Sequence, residues 1–296
     1  MNRIQDLGRK QVIQYDVNEN FEFDLKNIEE VLKNNSIKVF VLTASSNATG
    51  YMPDIKKIGN LVHKYRACFM VDGCQFIQHH EMNMQEMGID FLAASGHKFY
   101  APYGGGFLIG PKDFFDKFIS YEIGGGNLPY ITKEGEFLRY KNQLAHDPGT
   151  PNAVGAVAMA SALKQLKEIG LKNVEEYEYA LTKKVFDKLK NNSKIDLYVS
   201  EKHLSTIIPF NIKGIDSRKV AKDLNDRFGI GVRAGSFCVY NVMRNLLNIE
   251  DESEIINKVK NREENAVPGF VRISFSLMNT ENDVDRIIDA LEILTK

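Results

Sequence analysis

Apolar positions in the first half of the chain alternate between two periods. From Phe23 to Lys33 they recur at helical spacing, with Leu25, Ile28, Val31 and Leu32 on one face, and Ile37-Lys38-Val39-Phe40-Val41-Leu42 then forms a β-branched run ending in Thr43-Ala44-Ser45-Ser46-Asn47. The step repeats: Ile55 to Tyr65 carries Ile58, Leu61 and Val62 on a helical face, and Ala67 to Val71 is an apolar strand ending at Asp72-Gly73. A short helix near Met82 to Met87 and a strand over Asp90 to Ala94 make a third step, closed by Ser95-Gly96-His97-Lys98. Helix and buried strand in alternation predict a parallel sheet with helices on its faces.

After Lys98 the pattern changes. Gly104-Gly105-Gly106 leads into Phe107-Leu108-Ile109-Gly110 so soon after the preceding strand that an antiparallel return is expected. Residues 111 to 150 hold glycine and proline with little periodicity and read as loops. Pro151, Asn152 and Gly170 bracket a helix over Ala153 to Ile169 that is expected to bridge two domains. Val174 to Leu189 is then helical, Ile195 to Val199 and Thr206 to Ile212 read as strands, Ser217 to Phe228 is an amphipathic helix, and Phe270 to Ser276 alternates as a strand. Thr280 with Asp283 opens a last helix carrying Val284, Ile287, Ile288 and Leu291 on one face. The expected division is a large α/β domain over 1–152 and a smaller α+β domain over 153–296.

A chain of 296 residues, 43% of them hydrophobic, has room for two cores. Its formal net charge of -1 argues against a nucleic-acid or anionic-membrane surface, which needs a basic excess, and leaves small-molecule chemistry. Met1-Asn2-Arg3-Ile4-Gln5-Asp6-Leu7 has no apolar signal core, and the most apolar stretch, Ala153 to Leu163, is too short to span a bilayer, so a cytoplasmic protein is expected. Cys68, Cys74 and Cys238 show no C-x-x-C spacing, which predicts thiols rather than a disulfide framework or a zinc site. The pair His79-His80 lacks ligand partners at metal spacing, and Gly124-Gly125-Gly126 is no P-loop because no Lys-Ser or Lys-Thr follows.

Three successive strands end in polar groups: Asn47, then Asp72 with Gln75, then Ser95, His97 and Lys98. Ligands of open parallel sheets sit outside the carboxyl ends of the strands, so these groups are expected at one crevice. A lysine able to form a Schiff base beside a carboxylate that protonates a pyridine nitrogen is the pair that pyridoxal phosphate chemistry requires, and Lys98 and Asp72 fit it. Either alone is ordinary, a surface lysine or a helix-capping aspartate; the ordered combination is not.

Val71-Asp72-Gly73-Cys74-Gln75, Ser95-Gly96-His97-Lys98-Phe99-Tyr100-Ala101-Pro102-Tyr103-Gly104, Asp147-Pro148-Gly149-Thr150-Pro151-Asn152, Arg233-Ala234-Gly235-Ser236-Phe237-Cys238 and Val271-Arg272-Ile273-Ser274 resemble, in order, segments of the class V aminotransferase family. Those are fold-type I pyridoxal-phosphate proteins, and the likeness is greatest to their cysteine desulfurase and selenocysteine lyase branch. The resemblance implies that Lys98 holds the cofactor as an internal aldimine and moves the substrate's α-proton. It further implies that Asp72 pairs with the pyridine nitrogen, Gln75 bonds the phenolic oxygen, and Ser95 with His97 contacts the phosphate. Asn47 and Arg272 resemble the family's grip on the amino-acid carboxylate, which a guanidinium binds bidentately.

Cys238 is similar to the desulfurase cysteine that attacks the sulfur of cofactor-bound cysteine, leaving alanine and an enzyme persulfide; the neighbouring Arg233 would favour its thiolate. The flank Val239-Tyr240-Asn241 departs from common desulfurase patterns. Three readings follow: a cysteine desulfurase with a sulfur-acceptor protein as partner; a class V aminotransferase, lyase or epimerase acting on another small amino acid with Cys238 incidental; and a non-catalytic, truncated remnant. The last arises because family members carry substantial chain ahead of the segment resembling Gln11 to Val41, with a phosphate-binding loop and a residue that stacks on the pyridine ring. The resemblance also implies a homodimer whose sites are built across a two-fold interface, with the Gly124-Gly125-Gly126 loop near the neighbouring subunit's phosphate.

Overall fold

The computed structural model describes residues 11–15, 17–18, 22–117, 120–140 and 142–296; the Met1–Leu7 segment lies outside the described residues. In chain order the elements are α1 (Leu25–Asn34), β1 (Val39–Thr43), α2 (Ile55–Lys64), β2 (Cys68–Asp72), β3 (Phe91–Ser95), β4 (Gly106–Ile109), α3 (Lys112–Lys117), β5 (Tyr130–Ile131), β6 (Phe137–Leu138), α4 (Ala153–Ile169) and α5 (Leu171–Leu189). They continue with β7 (Ile195–Leu197), β8 (Ile207–Ile212), α6 (Ser217–Phe228), β9 (Arg233–Gly235), α7 (Tyr240–Leu246), α8 (Ser253–Lys260), β10 (Phe270–Ser274) and α9 (Glu281–Leu294). Two compact units result. Ile37–Ser46 with Asp54–Ala180 form one, and the residues up to Ser36, Asn47–Pro53 and Leu181–Lys296 form the other, so the division falls within α5.

The first unit is built on the sheet β1-β2-β3-β4, with β1, β2 and β3 parallel and β4 the antiparallel return. Register assigns its two faces. Leu42, Phe69, Val71, Leu92 and Ala94 share the buried face, onto which α2 packs through Ile58 and Val62 with Gly59 against the Phe69 ring. The opposite face carries Val39, Val41, Met70, Ala93 and Leu108, and Val41 and Leu108 are 49% and 50% exposed. Helices are found on both faces as expected: α2 covers the Phe69 face, and Phe91 on the second face is buried against Phe114 of α3, ring centroids 4.7 Å apart, while the exposed Val39, Val41 and Leu108 lie on the edge strands β1 and β4.

The helix α4, expected to head the second domain, groups instead with the parallel sheet. Glycines explain its approach. A Cβ on Gly96 would come within 2.8 Å of Met159 Cγ, and one on Gly105 within 3.0 Å of the Gly155 carbonyl, so α4 lies against the turn that carries Lys98 at backbone distance. Its N-terminus is capped as expected, Gly155 N–H donating to Asn152 Oδ1 at 2.9 Å.

The helix expected near Met82 to Met87 is only a sequence of turns. The Asn83 side chain accepts from the Gln85 and Glu86 amides, and Gly88, at φ 65°, turns the chain before a second helical turn forms. Residues 111 to 150, expected as loops, contain α3, the β5–β6 hairpin and a 3-10 turn at Gln143–His146, all too short to leave a periodic signature.

The second unit is an antiparallel sheet in the order β7-β8-β10-β9. Ile208, Phe210, Val271 and Ile273 form its core with Val220 and Leu224 of α6 and Val284, Ile287 and Leu291 of α9. The Thr280–Asp283 capping box opens α9. A second cluster of Ala48, Met243, Leu246 and Phe270 is flanked by Phe237 and Val239.

His79 and His80 do have acidic partners, supplied by α5 from far along the chain. His79 Nδ1 lies 2.6 Å from Oε2 of the fully buried Glu178, and His80 Nδ1 lies 3.2 Å from Glu175 Oε2. Burial pushes the His80 imidazole below its ordinary range, with Glu175 opposing. Replacing one partner of such a buried pair removes a buried hydrogen bond from the other. His79→Ala is expected to lower stability by about 3 kcal/mol, read as a lower denaturant midpoint at unchanged slope; an unchanged midpoint would remove the pair from the unit's core.

Candidate active site

The parallel-sheet unit brings five of the expected residues to neighbouring strand ends. Asp72 closes β2 and Ser95 closes β3, with Asp72 registered against Thr43 and Ala93. Asp72 and Ser95 therefore leave the sheet on the same face, opposite Phe69 and Val71. The chain then forms a single 3-10 turn over Gly96–Phe99, stopped by Tyr100 in the left-handed region at φ 66°, which sets Lys98 half-buried and His97 exposed directly past β3.

Behind this row stand Cys74, read from the sequence only as a thiol, and Gln78, which the sequence did not single out. The Cys74 backbone N–H donates to Asp72 Oδ1 at 2.9 Å, and the Cys74 thiol also hydrogen-bonds the Asp72 side chain. Burial first, and then the Asp72 carboxylate, push the Cys74 thiol up, while the Lys98 charge pulls it down. Gln78, 2% exposed, donates from Nε2 to Gln75 Oε1 at 3.2 Å, which commits the oxygen of Gln75 and leaves its NH2 as a donor. Only their position three residues or fewer from Asp72 and Gln75 hinted at these supports.

The antiparallel-sheet unit gathers the other expected residues, Asn47 among them. Arg272 on β10 is paired in register with Arg233 on β9. Two cations directly opposite on a sheet repel, and burial together with Arg233 brings Arg272 down to about 10. Arg272 Nη1 donates to the Asn47 carbonyl at 2.7 Å, whereas its buried Nε has no hydrogen-bond partner among the described residues. An unsatisfied buried guanidinium N–H facing a like charge is a place for an anion. Cys238, exposed, follows Phe237, whose carbonyl accepts from Asn47 Nδ2 at 2.9 Å.

The chemistry of the first set suits pyridoxal phosphate: a primary amine, a carboxylate, an amide with a free donor side, and a hydroxyl beside an imidazole on consecutive strand ends. Among the described residues no group of three His, Cys, Asp or Glu side chains is arranged for a metal ion, and no helix is long and apolar enough to cross a membrane.

This fold and these residues belong to a known class. The chain is a member of the aminotransferase class-V family, whose model matches residues 2–287, and that family depends on pyridoxal phosphate. A cysteine desulfurase of Wigglesworthia glossinidia brevipalpis is 31% identical over 271 residues, covering 91% of this chain and 61% of its own length. A probable cysteine desulfurase of Halalkalibacterium halodurans is 31% identical, with 90% of this chain and 60% of its own length covered. The apo structure of a cysteine desulfurase from Thermococcus onnurineus NA1 superimposes with a TM-score of 0.83 at 28% identity, covering 99% of this chain and 68% of that one. The chain thus spans about three fifths of the length of the curated relatives it matches.

Because Asp72 raises the Cys74 thiol, Asp72→Asn is expected to let Cys74 ionise at lower pH. Peptide-resolved alkylation across a pH series checks this: the Cys74 profile moves to lower pH in the variant. An unmoved profile, or one displaced upward, would show that the carboxylate and thiol do not interact.

Proposed function

We propose that this chain carries the cofactor- and substrate-binding residues of a pyridoxal-phosphate-dependent cysteine desulfurase. The observation that carries the reading is the exposed thiol of Cys238 on a loop fastened to Arg272, a guanidinium whose buried Nε has no partner among the described residues. A carboxylate supplies what Arg272 lacks, and a thiol fixed close to a carboxylate grip suits a small sulfur-bearing amino acid. The named desulfurase relatives support the same choice.

In this reading Lys98 Nζ would anchor pyridoxal phosphate and carry the proton at the substrate's α-carbon. Asp72 would pair with the pyridine nitrogen, its Oδ1 steadied by the Cys74 amide. Gln75 would donate to the phenolic oxygen, with its orientation set by Gln78. Ser95 and His97 would hold the phosphate. When bound, the cofactor supplies an electron sink for the substrate's α-carbon. Asn47 and Arg272 hold the carboxylate, with Arg233 registered opposite Arg272. The Cys238 thiolate would attack the sulfur of cysteine, forming the S–S bond as the substrate's Cβ–S bond breaks, and a proton delivered to the released carbon would leave alanine and a persulfide for a sulfur-acceptor protein. A cytoplasmic homodimer belongs to the same reading.

The flank Val239-Tyr240-Asn241 favours a second reading, action on another small amino acid with Cys238 incidental. The test has two stages. With added pyridoxal phosphate, the chain is expected to acquire a cofactor absorbance that borohydride fixes onto Lys98 and that Lys98→Ala abolishes; no fixation in the unsubstituted chain would sink both enzyme readings for it. Incubated with cysteine and a reducing thiol that cleaves the persulfide, it is then expected to release sulfide and alanine, with Cys238→Ser reducing release by about two orders of magnitude. Undiminished release in that variant would move the assignment to the second reading.

A further inference from the structure

Phe237 and Cys238 are consecutive non-glycine residues in the left-handed region, at φ 54° and 62°. Side chains of L-residues rarely hold that conformation, and two in succession persist only where the surroundings over-determine them. The surroundings here can be named. Upstream, Gly235 is pressed against Gly269 so closely that a Cβ on Gly269 would lie 2.3 Å from the Gly235 carbonyl carbon. Downstream, Val239 N–H donates to the Ser236 carbonyl at 3.1 Å, and Met243 N–H donates to the Val239 carbonyl at 2.9 Å as α7 begins.

Between these ends, Phe237 is held twice. Its carbonyl accepts from Asn47 Nδ2 at 2.9 Å, and the Arg272 guanidinium lies 4.7 Å from the centre of its ring. The third side of the triangle is the Arg272 bond to the Asn47 carbonyl at 2.7 Å. The ring also meets Phe270 at 5.0 Å, so a role as a simple apolar plug is the competing account. A plug accounts for the contact with Phe270. It does not require an aromatic ring under a guanidinium, nor an amide fixing the backbone of the residue before the thiol.

We propose that Phe237 is a positioning residue that latches the Cys238 loop to the Arg272 side chain, so that the thiol is placed by the guanidinium that grips the substrate carboxylate. The inference rests on the roles given to Cys238 and Arg272 above. Its physical content is a cation–π contact and a backbone anchor that act together on one residue. The latch makes Arg272 responsible for loop order as well as for anion binding, and it makes the aromatic character of Phe237 necessary.

Backbone amide exchange of the 234–243 stretch in the apo chain tests it, compared with exchange in β8 and α9. Phe237→Leu, which keeps an apolar plug, and Arg272→Gln, which keeps the ring on Phe270, are each expected to speed exchange in that stretch about tenfold while β8 and α9 stay unchanged. Phe237→Tyr, which keeps the ring, is expected to remain within about twofold of the unsubstituted chain. Phe237→Gly relieves the left-handed strain but removes the ring, and is also expected to exchange faster. Unchanged exchange in either Phe237→Leu or Arg272→Gln, or slower exchange in Phe237→Gly, would overturn the latch. Should Phe237→Gly loosen the whole unit, Arg272→Gln and Phe237→Tyr decide by the same measurement. None of these measurements needs the cofactor, so a chain that fails to desulfurate cysteine still shows whether the latch holds, and a failed latch leaves the desulfurase reading standing.

Discussion

The parallel register of β1, β2 and β3 is the constraint on which the placement of Asp72, Ser95 and Lys98 depends. Pairing Asp72 with Ala93, and Thr43 with Asp72, puts Asp72 and Ser95 on one face of the sheet and sends Phe69, Val71 and Leu92 to the other. A slip of one residue would exchange these sets, burying a carboxylate and exposing the core. Apolar burial on the Phe69 face resists that slip, and a side chain reinforces it. Asp90, just ahead of β3, accepts from the Phe69 amide at 2.7 Å and lies 2.9 Å from His63 Nε2 on α2, joining two strands and a helix at one carboxylate.

Asn47, Phe237 and Arg272 are held by a different principle. No single register places them, since they come from three separated stretches of chain. They are held by closure, each bonded to the other two through a backbone carbonyl, a side-chain amide and a guanidinium over a ring. Closed polar networks of this kind rigidify because loosening one member leaves the others unsatisfied. Similar support appears beside the lysine, where Cys74 and Gln78 steady the two residues expected to meet the cofactor ring.

The edge strands change what the composition meant. An apolar fraction adequate for two cores includes Val39 and Val41 on β1 and Leu108 and Ile109 on β4, which are about half exposed. Isolated exposed apolar residues are commonplace, but these lie on the two outer strands of the sheet, so their exposure follows from the topology and not from chance scatter.

Much of the fold was legible because its elements are long and periodic. The parallel alternation, the antiparallel return of β4, the Asn152 cap and the Thr280–Asp283 box all follow from local spacing and capping chemistry, which act over a few residues. The short elements β9, α7 and α8, and the turns that replace the helix near Met82, left no such mark, because two or fewer turns of periodicity do not differ from a loop. For the site, sequence order alone named Lys98, Asp72, Gln75, Arg272 and Cys238, since each sits in a motif that resembles a segment of the family, in the family's order. What only tertiary structure decided are the partners: Glu178 for His79, Gln78 for Gln75, and Phe237 with Asn47 for Arg272. The reason is physical. Local sequence fixes where a side chain leaves its strand, whereas the group that orients it is brought up by the packing of the folded chain, which no local period records.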